Sequence, residues 1–502
     1  MDDTVITETS PADVESCCRA AAGACAELAD LAAWPLARRA GLLRAVAAML
    51  DANASDLASL ADTETALGSG RLVGEVARTT WQLRLLADVV DDGAFLEVII
   101  DHPSAAEGPQ AHPDLRRMLL PIGPVAVYAA SNFPFAFSVA GGDTAAALAA
   151  GCPVVVKAHP GHPRTSQRTA ELVLAACRDA GAPEGTFSLV HGFEAGRLVV
   201  TDQRIRAAAF TGSPRGGQAL FDLASSRPDP IPFYGELGSI NPVYVTPAAA
   251  AARGSEIAAG FVTSVTLGNG QFCTKPGLLF LPSGHGLDDA LAEAVRRVPS
   301  APMLTPDISD GFRSGIEEIA GTDGVRLLAA ADGPDGRPPR LYVTAAADVA
   351  RHPRLSRECF GPSSVVAEYR DEEELIEAAA AVPGSLAAAV HAEPGDEKLS
   401  RRLLATVRTR AGRVIWNGWP TGVAVTWAMH HGGPWPATTA SIHTSVGPTA
   451  IRRFQVPVTF QGIPAPLLPD AVADDNVLGL PRRVDGQFQP ARGTANPAPT
   501  NA

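Results

Sequence analysis

Pro121-Ile-Gly-Pro-Val-Ala-Val-Tyr-Ala-Ala-Ser-Asn-Phe-Pro134 reads as a buried strand over 125–130 that ends in a polar pair and a proline. An unbroken apolar run of this length suits a strand covered on both faces. Asn132 then falls at the strand's C-terminal end, where open α/β sheets hold their ligands. Downstream the pattern alternates. An Ala-rich helix is expected over about 139–150, and a strand over 151–157 that again ends in a polar residue, Lys157. A helix over 166–180 and strands at 186–190 and 205–210 follow. Strand, helix, strand in succession predicts a parallel sheet, so the fold class is α/β.

Upstream, residues 13–62 are rich in Ala, Leu and Arg. Leu42, Leu43, Val46, Met49 and Leu50 recur at helical spacing, as do Leu72, Val76, Leu83, Leu86 and Val90. Glu64 and Arg78 among them read as surface or inter-helix charges. Residues 95–100 and 116–120 turn strand-like, with a Pro/Ala/Gly-rich segment at 102–114 between them, which suits a hairpin or bridging arm.

Three downstream segments carry chemistry. The turn Thr211-Gly-Ser-Pro-Arg-Gly-Gly217 opens a helix, and unpaired N–H groups at such an end bind phosphate. No GxGxxG fingerprint occurs. Tyr234-Gly-Glu236-Leu-Gly-Ser-Ile-Asn-Pro242 sets a carboxylate among apolar residues and glycines, where burial would raise its pKa and make it a general base. After a helical region at 248–265 comes Leu267-Gly-Asn-Gly-Gln-Phe-Cys273-Thr-Lys-Pro-Gly277. Glycines 268 and 270 suit close approach of a ligand, and the thiol can attack an electrophilic carbon. A lone Cys is more often a small buried hydrophobe; its company in the chain overturns that. Residues 418–449 are loop-like and rich in Gly, Pro, Trp and His. Histidines 430, 431 and 443 lack metal spacing and read as solvated loop residues. The strand over 454–460 is taken as the last, and the tail from about 484 to 502 as disordered.

Size and charge bound the rest. The 502 residues allow two or three domains, and 46% hydrophobic residues allow a large core. A net charge of -13 argues against nucleic acid and anionic membranes. No apolar run approaches the ~18 residues of a membrane span. The seven cysteines (17, 18, 25, 152, 177, 273 and 359) show neither CxxC nor zinc spacing, which points to no metal and to a reducing, cytoplasmic setting. The acidic N-terminus is not a signal peptide.

Taken together, Ser-Asn132-Phe-Pro, Val-Val-Lys157, Phe-Thr-Gly212-Ser213, Glu236-Leu-Gly, Gly-Gln-Phe-Cys273 and Glu358-Cys-Phe360-Gly-Pro resemble the NAD(P)-dependent aldehyde dehydrogenase superfamily, over about residues 15–470. Val-Val-Lys-Ala-His-Pro, Gln-Phe-Cys-Thr-Lys-Pro-Gly and Gly-Gly-Pro-Trp-Pro-Ala-Thr-Thr are similar to its branch of 2-oxoglutarate semialdehyde (2,5-dioxopentanoate) and fatty aldehyde dehydrogenases.

The resemblance implies a Rossmann-type cofactor domain (1–94 and 122–235), an α/β catalytic domain (236–440) and a small β oligomerisation arm (95–121 and 441–470). Dimers or tetramers would form through that arm. It implies Cys273 as the nucleophile of a thiohemiacetal and then a thioester, with hydride passing to the nicotinamide. Asn132 and the Cys273 N–H would hold the oxyanion. Glu236 would activate the hydrolytic water and help deprotonate the thiol. Glu358 would hold the nicotinamide ribose with Phe360 close by, Lys157 the adenosine ribose, and Gly212, Ser213 and Gly217 the pyrophosphate turn. Pro160 stands where many NAD-using relatives carry a Glu, so NADP should be accepted and NAD remains possible, with His159 or Arg197 at the 2′-phosphate. The leading substrate is 2-oxoglutarate semialdehyde, with Arg164, Lys275 or Arg453 as its carboxylate anchor. The alternatives are other short or fatty aldehydes, or a non-redox Cys esterase or acyl-transfer protein.

Overall fold

The computed structural model describes residues 6–105, 110–332 and 338–491 and contains three sheets. The first has five strands in the spatial order Phe187–Val190, Val154–Lys157, Val125–Tyr128, Ala207–Thr211 and Phe233–Glu236. All of its pairings are parallel. Val125, Val127, Val154, Val156, Ala207 and Ala209 face one core; Ala126, Tyr128, Val155 and Ala208 face another. Both faces are apolar because helices cover both, which is why these strands read as unbroken apolar runs. Fully burying one Val contributes about 1.5–3 kcal/mol, so an acid at the fully buried Val155 would break the sheet. Strand order reverses between Val125–Tyr128 and Ala207–Thr211. A crevice for a ligand opens beyond the C-terminal ends at such a reversal.

The second sheet has seven strands, ordered Arg326–Ala330, Arg340–Ala345, Ser363–Tyr369, Leu278–Pro282, Val243–Val245, Ser385–His391 and Ala411–Trp416. It is parallel except at its first pair. Leu278 and Phe280 face one core, and Leu279 and Leu281 the other. The third sheet orders Gln455–Gln461, Leu115–Pro121, Val98–Asp101, Arg482–Val484 and Gln487–Gln489. No helix among the described residues is long and apolar enough to cross a membrane.

Several boundaries depart from the sequence reading. The helix expected from 139 starts at Gly142. Glu75 Oε1 accepts the amides of Phe135 and Ala136 and holds the preceding residues in a turn. Residues 441–454, expected in the arm, lie elsewhere. Ala450, Ile451 and Phe454 are apolar enough to bury in the first core, and Gln455–Gln461 is the part of 441–470 that joins the third sheet. The stretch after 484, expected to be disordered, opens with a strand, Gln487–Gln489, paired through its main chain to Arg482–Val484. Residues 492–502 of that expected tail lie outside the described residues. Glu64 is an inter-helix cap: its carboxylate accepts from the Arg164 and Thr165 amides at the start of helix Pro163–Asp179.

Candidate active site

Glu236 ends the last strand of the first sheet. Cys273 follows helix Pro247–Thr266 and a short 3-10 turn, Leu267–Gly270. His431 lies in the loop that leads back from the second sheet. These three meet: His431 Nε2 is 3.7 Å from Cys273 Sγ and 3.1 Å from Glu236 Oε2. His431 and Glu236 are only 2% and 6% exposed, while Cys273 is half-exposed. His431 is therefore not the solvated loop residue that the sequence suggested.

Burial alone would lower the His431 pKa, but Glu236 and the neighbouring Cys273 sulfur raise it to about 10. Burial would likewise raise Glu236. Instead the His431 and Arg453 charges hold its carboxyl below the usual carboxylate range. The shift expected from burial is thus reversed by charge.

The main chain around Cys273 is clamped. Gly270 has φ 66°, and a Cβ there would stand 2.3 Å from the Gly361 carbonyl carbon. Its glycine serves contact with the loop around Glu358 rather than with a ligand. Asn132, 8% exposed, donates from Nδ2 to Gln271 O at 2.9 Å. This ties the amide to the segment two residues before Cys273. Asn241, fully buried at φ 47°, donates to Cys273 O at 2.8 Å and Lys275 O at 3.0 Å. Asn tolerates the left-handed region better than most residues. Nothing in the sequence marks it, because its role depends on contacts far along the chain.

Two of the three cations suggested for a substrate carboxylate are committed elsewhere. Lys275 Nζ donates to Cys359 O at 2.9 Å and Ser363 O at 2.7 Å. Arg453 Nη2 is 2.7 Å from Asp143 Oδ1, with both side chains buried. Arg164 is half-buried at the start of its helix.

The dinucleotide candidates line the C-terminal ends of the first sheet. Lys157 Nζ lies 4.8 Å from the centroid of the exposed Phe193 ring, and burial pushes its pKa down to about 8. Ser213 caps helix Pro214–Ser225, accepting from the Gly216 amide. Gly217 lets that helix pack on Leu237, whose Cδ2 would be 2.1 Å from a Cβ. Gly212 is similarly pressed by the Phe210 ring. His159 is not a cation: its Nδ1 accepts from the Gly161 amide, and burial lowers its pKa to about 3. Arg197 is exposed, 3.6 Å from Glu194. Phe360 is half-buried beside Glu358 in the chain.

Glu358 Oε1 is closed to solvent without a hydrogen-bond partner. Burial raises its pKa to about 8 against the pull of Lys275. A Cβ on Gly238 would meet Glu358 Oε2 at 2.6 Å and Pro214 Cγ at 2.9 Å. The carboxyl and the helix N-terminus therefore converge on one glycine. An orphaned acceptor beside a helix N-terminus fits a group carrying both hydroxyls and phosphates. Far from this corner, His285, Asp288 and Glu368 cluster. His285 Nδ1 accepts from the Leu287 amide, so its proton sits on Nε2, the nitrogen that faces the carboxylates, and the ring offers them no metal lone pair.

A thiol, a carboxyl and a clamped amide at the mouth of a parallel sheet define a class. The aldehyde dehydrogenase family model matches residues 1–435, and the chain belongs to that family. It is an oxidoreductase of aldehydes that uses NAD or NADP. The chain is 45% identical over 499 residues to alpha-ketoglutaric semialdehyde dehydrogenase 2 of Azospirillum brasilense, covering 97% of this chain and 94% of the relative. It is 41% identical over 456 residues to alpha-ketoglutaric semialdehyde dehydrogenase of Acinetobacter baylyi, covering 89% and 87%. The solved gamma-glutamyl-gamma-aminobutyraldehyde dehydrogenase of Burkholderia cenocepacia superposes with TM-score 0.76 at 22% identity, over 91% of this chain and 90% of that one. At that identity the match shows the fold.

Proposed function

We propose that the protein oxidises 2-oxoglutarate semialdehyde to 2-oxoglutarate with NADP preferred, through a thioester on Cys273. The observation that carries this is one imidazole nitrogen within 3.1 Å of Glu236 and 3.7 Å of Cys273. The two relatives named for this semialdehyde support the substrate.

Cys273 gives its thiol proton to solvent, its sulfur bonds to the aldehyde carbon, and the carbonyl π pair moves onto oxygen as an oxyanion held by the Asn132 amide and the Cys273 N–H. The nicotinamide, when bound, supplies an acceptor for the hydride that leaves this carbon. Glu236 then takes a proton from water, which attacks the thioester and frees the acid and the sulfur. His431 is a positioning residue in this scheme. Its positive charge favours negative charge on sulfur, but its pairing weakens Glu236 as a base. The two halves of the reaction thus draw on His431 in opposite directions.

Glu358, Lys157, Phe360 and the turn at Gly212, Ser213 and Gly217 hold the dinucleotide in this reading. The side chain at Pro160 carries no carboxylate to repel a 2′-phosphate, and with His159 neutral the cations left for it are Lys157 and Arg197. The protein assembles as a homodimer or homotetramer. Among the described residues, strands Gln455–Gln461 and Ala411–Trp416 are sheet edges, the second with Val414 and Trp416 exposed. All seven cysteines are free, which suits the cytoplasm.

The test is NADPH and NADH formation with 2-oxoglutarate semialdehyde, hexanal and decanal, using Cys273→Ala as the blank. Cys273→Ala should lose about 10⁴-fold or more in kcat. A higher kcat/KM for decanal overturns the substrate, and a higher kcat/KM for NAD overturns the preference. Light scattering on eluted protein checks the assembly, and a monomer mass overturns it.

A further inference from the structure

Helix Ser69–Asp92 sends three ionisable side chains toward the catalytic corner: Arg71, Glu75 and Arg78. Arg71 Cζ lies 5.2 Å from the ring centroids of both Phe133 and Phe272, and Arg78 Cζ lies 5.2 Å from that of Phe137. Phe137 in turn lies 6.1 Å, ring to ring, from His431. Arg78 is thus one aromatic ring removed from the imidazole that touches Cys273, and its charge acts on that sulfur.

Neither arginine forms an ion pair among the described residues. Arg71 Nη2 donates to Asn132 O at 2.6 Å, but its Nη1 and the Nη1 of Arg78 are closed to solvent without a hydrogen-bond partner. Glu75 does not satisfy them. Its Oε1 is spent on the Phe135 and Ala136 amides, its Oε2 makes no hydrogen bond to either arginine, and burial pushes its pKa up despite both. A third cation, Arg413, is tied to Gly422 O and Pro420 O. Buried guanidinium donors left unmet are costly unless an anion completes them. The five-carbon oxo-acid semialdehyde places its carboxylate about 5 Å from its aldehyde carbon, by bond lengths alone. That suits a cation one ring away from the sulfur.

We propose that Arg78 receives the carboxylate of the substrate, so that the site selects short aldehydes ending in an anion, with Arg71 adding positive charge behind Asn132. This deepens the reading of the chain as a semialdehyde dehydrogenase and rests on it.

The test is kcat/KM for 2-oxoglutarate semialdehyde, succinate semialdehyde and hexanal, in the unsubstituted enzyme, Arg78→Met and Arg78→Lys. The readout is the ratio of each anionic aldehyde to hexanal. In Arg78→Met that ratio should fall about 30-fold for both anionic aldehydes, mainly through KM, and Arg78→Lys should restore part of it. Inhibition of hexanal oxidation by 2-oxoglutarate should weaken in parallel. An unchanged ratio, or equal losses on all three aldehydes, overturns the assignment. Preference of the unsubstituted enzyme for hexanal would instead overturn the substrate reading, while the change in ratio on substitution still decides Arg78. Should Arg78→Met fail to fold, the same ratio and the same inhibition measured in Arg78→Lys decide it.

Discussion

Two carboxyl groups, Glu236 beside His431 and Glu358 against Gly238, are treated differently by their cations. Glu236 has its cation in contact, with His431 Nε2 at 3.1 Å, and is held ionised. Glu358 senses the Lys275 charge, but Lys275 spends its protons on the Cys359 and Ser363 carbonyls. Glu358 is left with a pKa near 8 and an oxygen unmet. Contact holds one carboxyl charged. Distance keeps the other nearly neutral at pH 7 and available to hydroxyl groups.

The sharpest attack on this contrast is Glu236→Gln. Its steady-state kcat should fall about 10³-fold, while stopped flow still shows a burst of about one NAD(P)H per subunit, with the acyl group trapped on Cys273. Loss of the burst as well would mean that Glu236 serves both halves. For His431→Asn, alkylation of Cys273 by iodoacetamide at pH 7 should slow about tenfold, with thioester hydrolysis slowing less or speeding up. Equal slowing of both steps breaks the claim that His431 pulls them apart. Glu358→Gln should raise the KM for the dinucleotide about tenfold, more than it changes kcat; a larger effect on kcat would move Glu358 into the chemistry.

The smallest effect lies in stability against pH. The folded protein keeps the Glu358 proton between pH 4.5 and about 8, where the unfolded chain has lost it. Stability therefore falls as pH rises through that window. Glu358→Gln lacks this loss, so its melting temperature should gain on the unsubstituted protein between pH 5 and 8, by roughly 3 °C. The His431 contribution is present in full below pH 6.5 and is lost as pH rises through about 10. Coincident windows in differential scanning calorimetry would erase the distinction between the two carboxyls.

The five parallel strands could be read from the sequence because burial on both faces leaves apolar runs such as Val154 to Val156. Cys273, Glu236 and Asn132 could be singled out because each stands at a break between an apolar run and a turn. His431 could not. Its loop has no period, and its partners lie 158 and 195 positions away in the chain, so only the folded chain shows that it is buried. Arg78 was hidden for a different reason: a cation on an amphipathic helix reads as surface until Phe137 is seen beneath it. The hairpin at Arg482–Val484 and Gln487–Gln489 was hidden because main-chain pairing leaves little trace in a polar, Gly-rich stretch.

Asn241 sits in the crossover between the Glu236 strand and the seven-stranded sheet. It accepts from Ser239 Oγ at 2.7 Å and the Ala387 amide at 3.1 Å while donating beneath the sulfur. That linker is therefore welded to the Cys273 lobe and cannot act as a hinge at that point. Any separation of the first sheet from the Cys273 segment would have to break the Asn132 bond to Gln271 O. In the proposed reaction, such an opening would take both the base and the oxyanion donor away from the thiol.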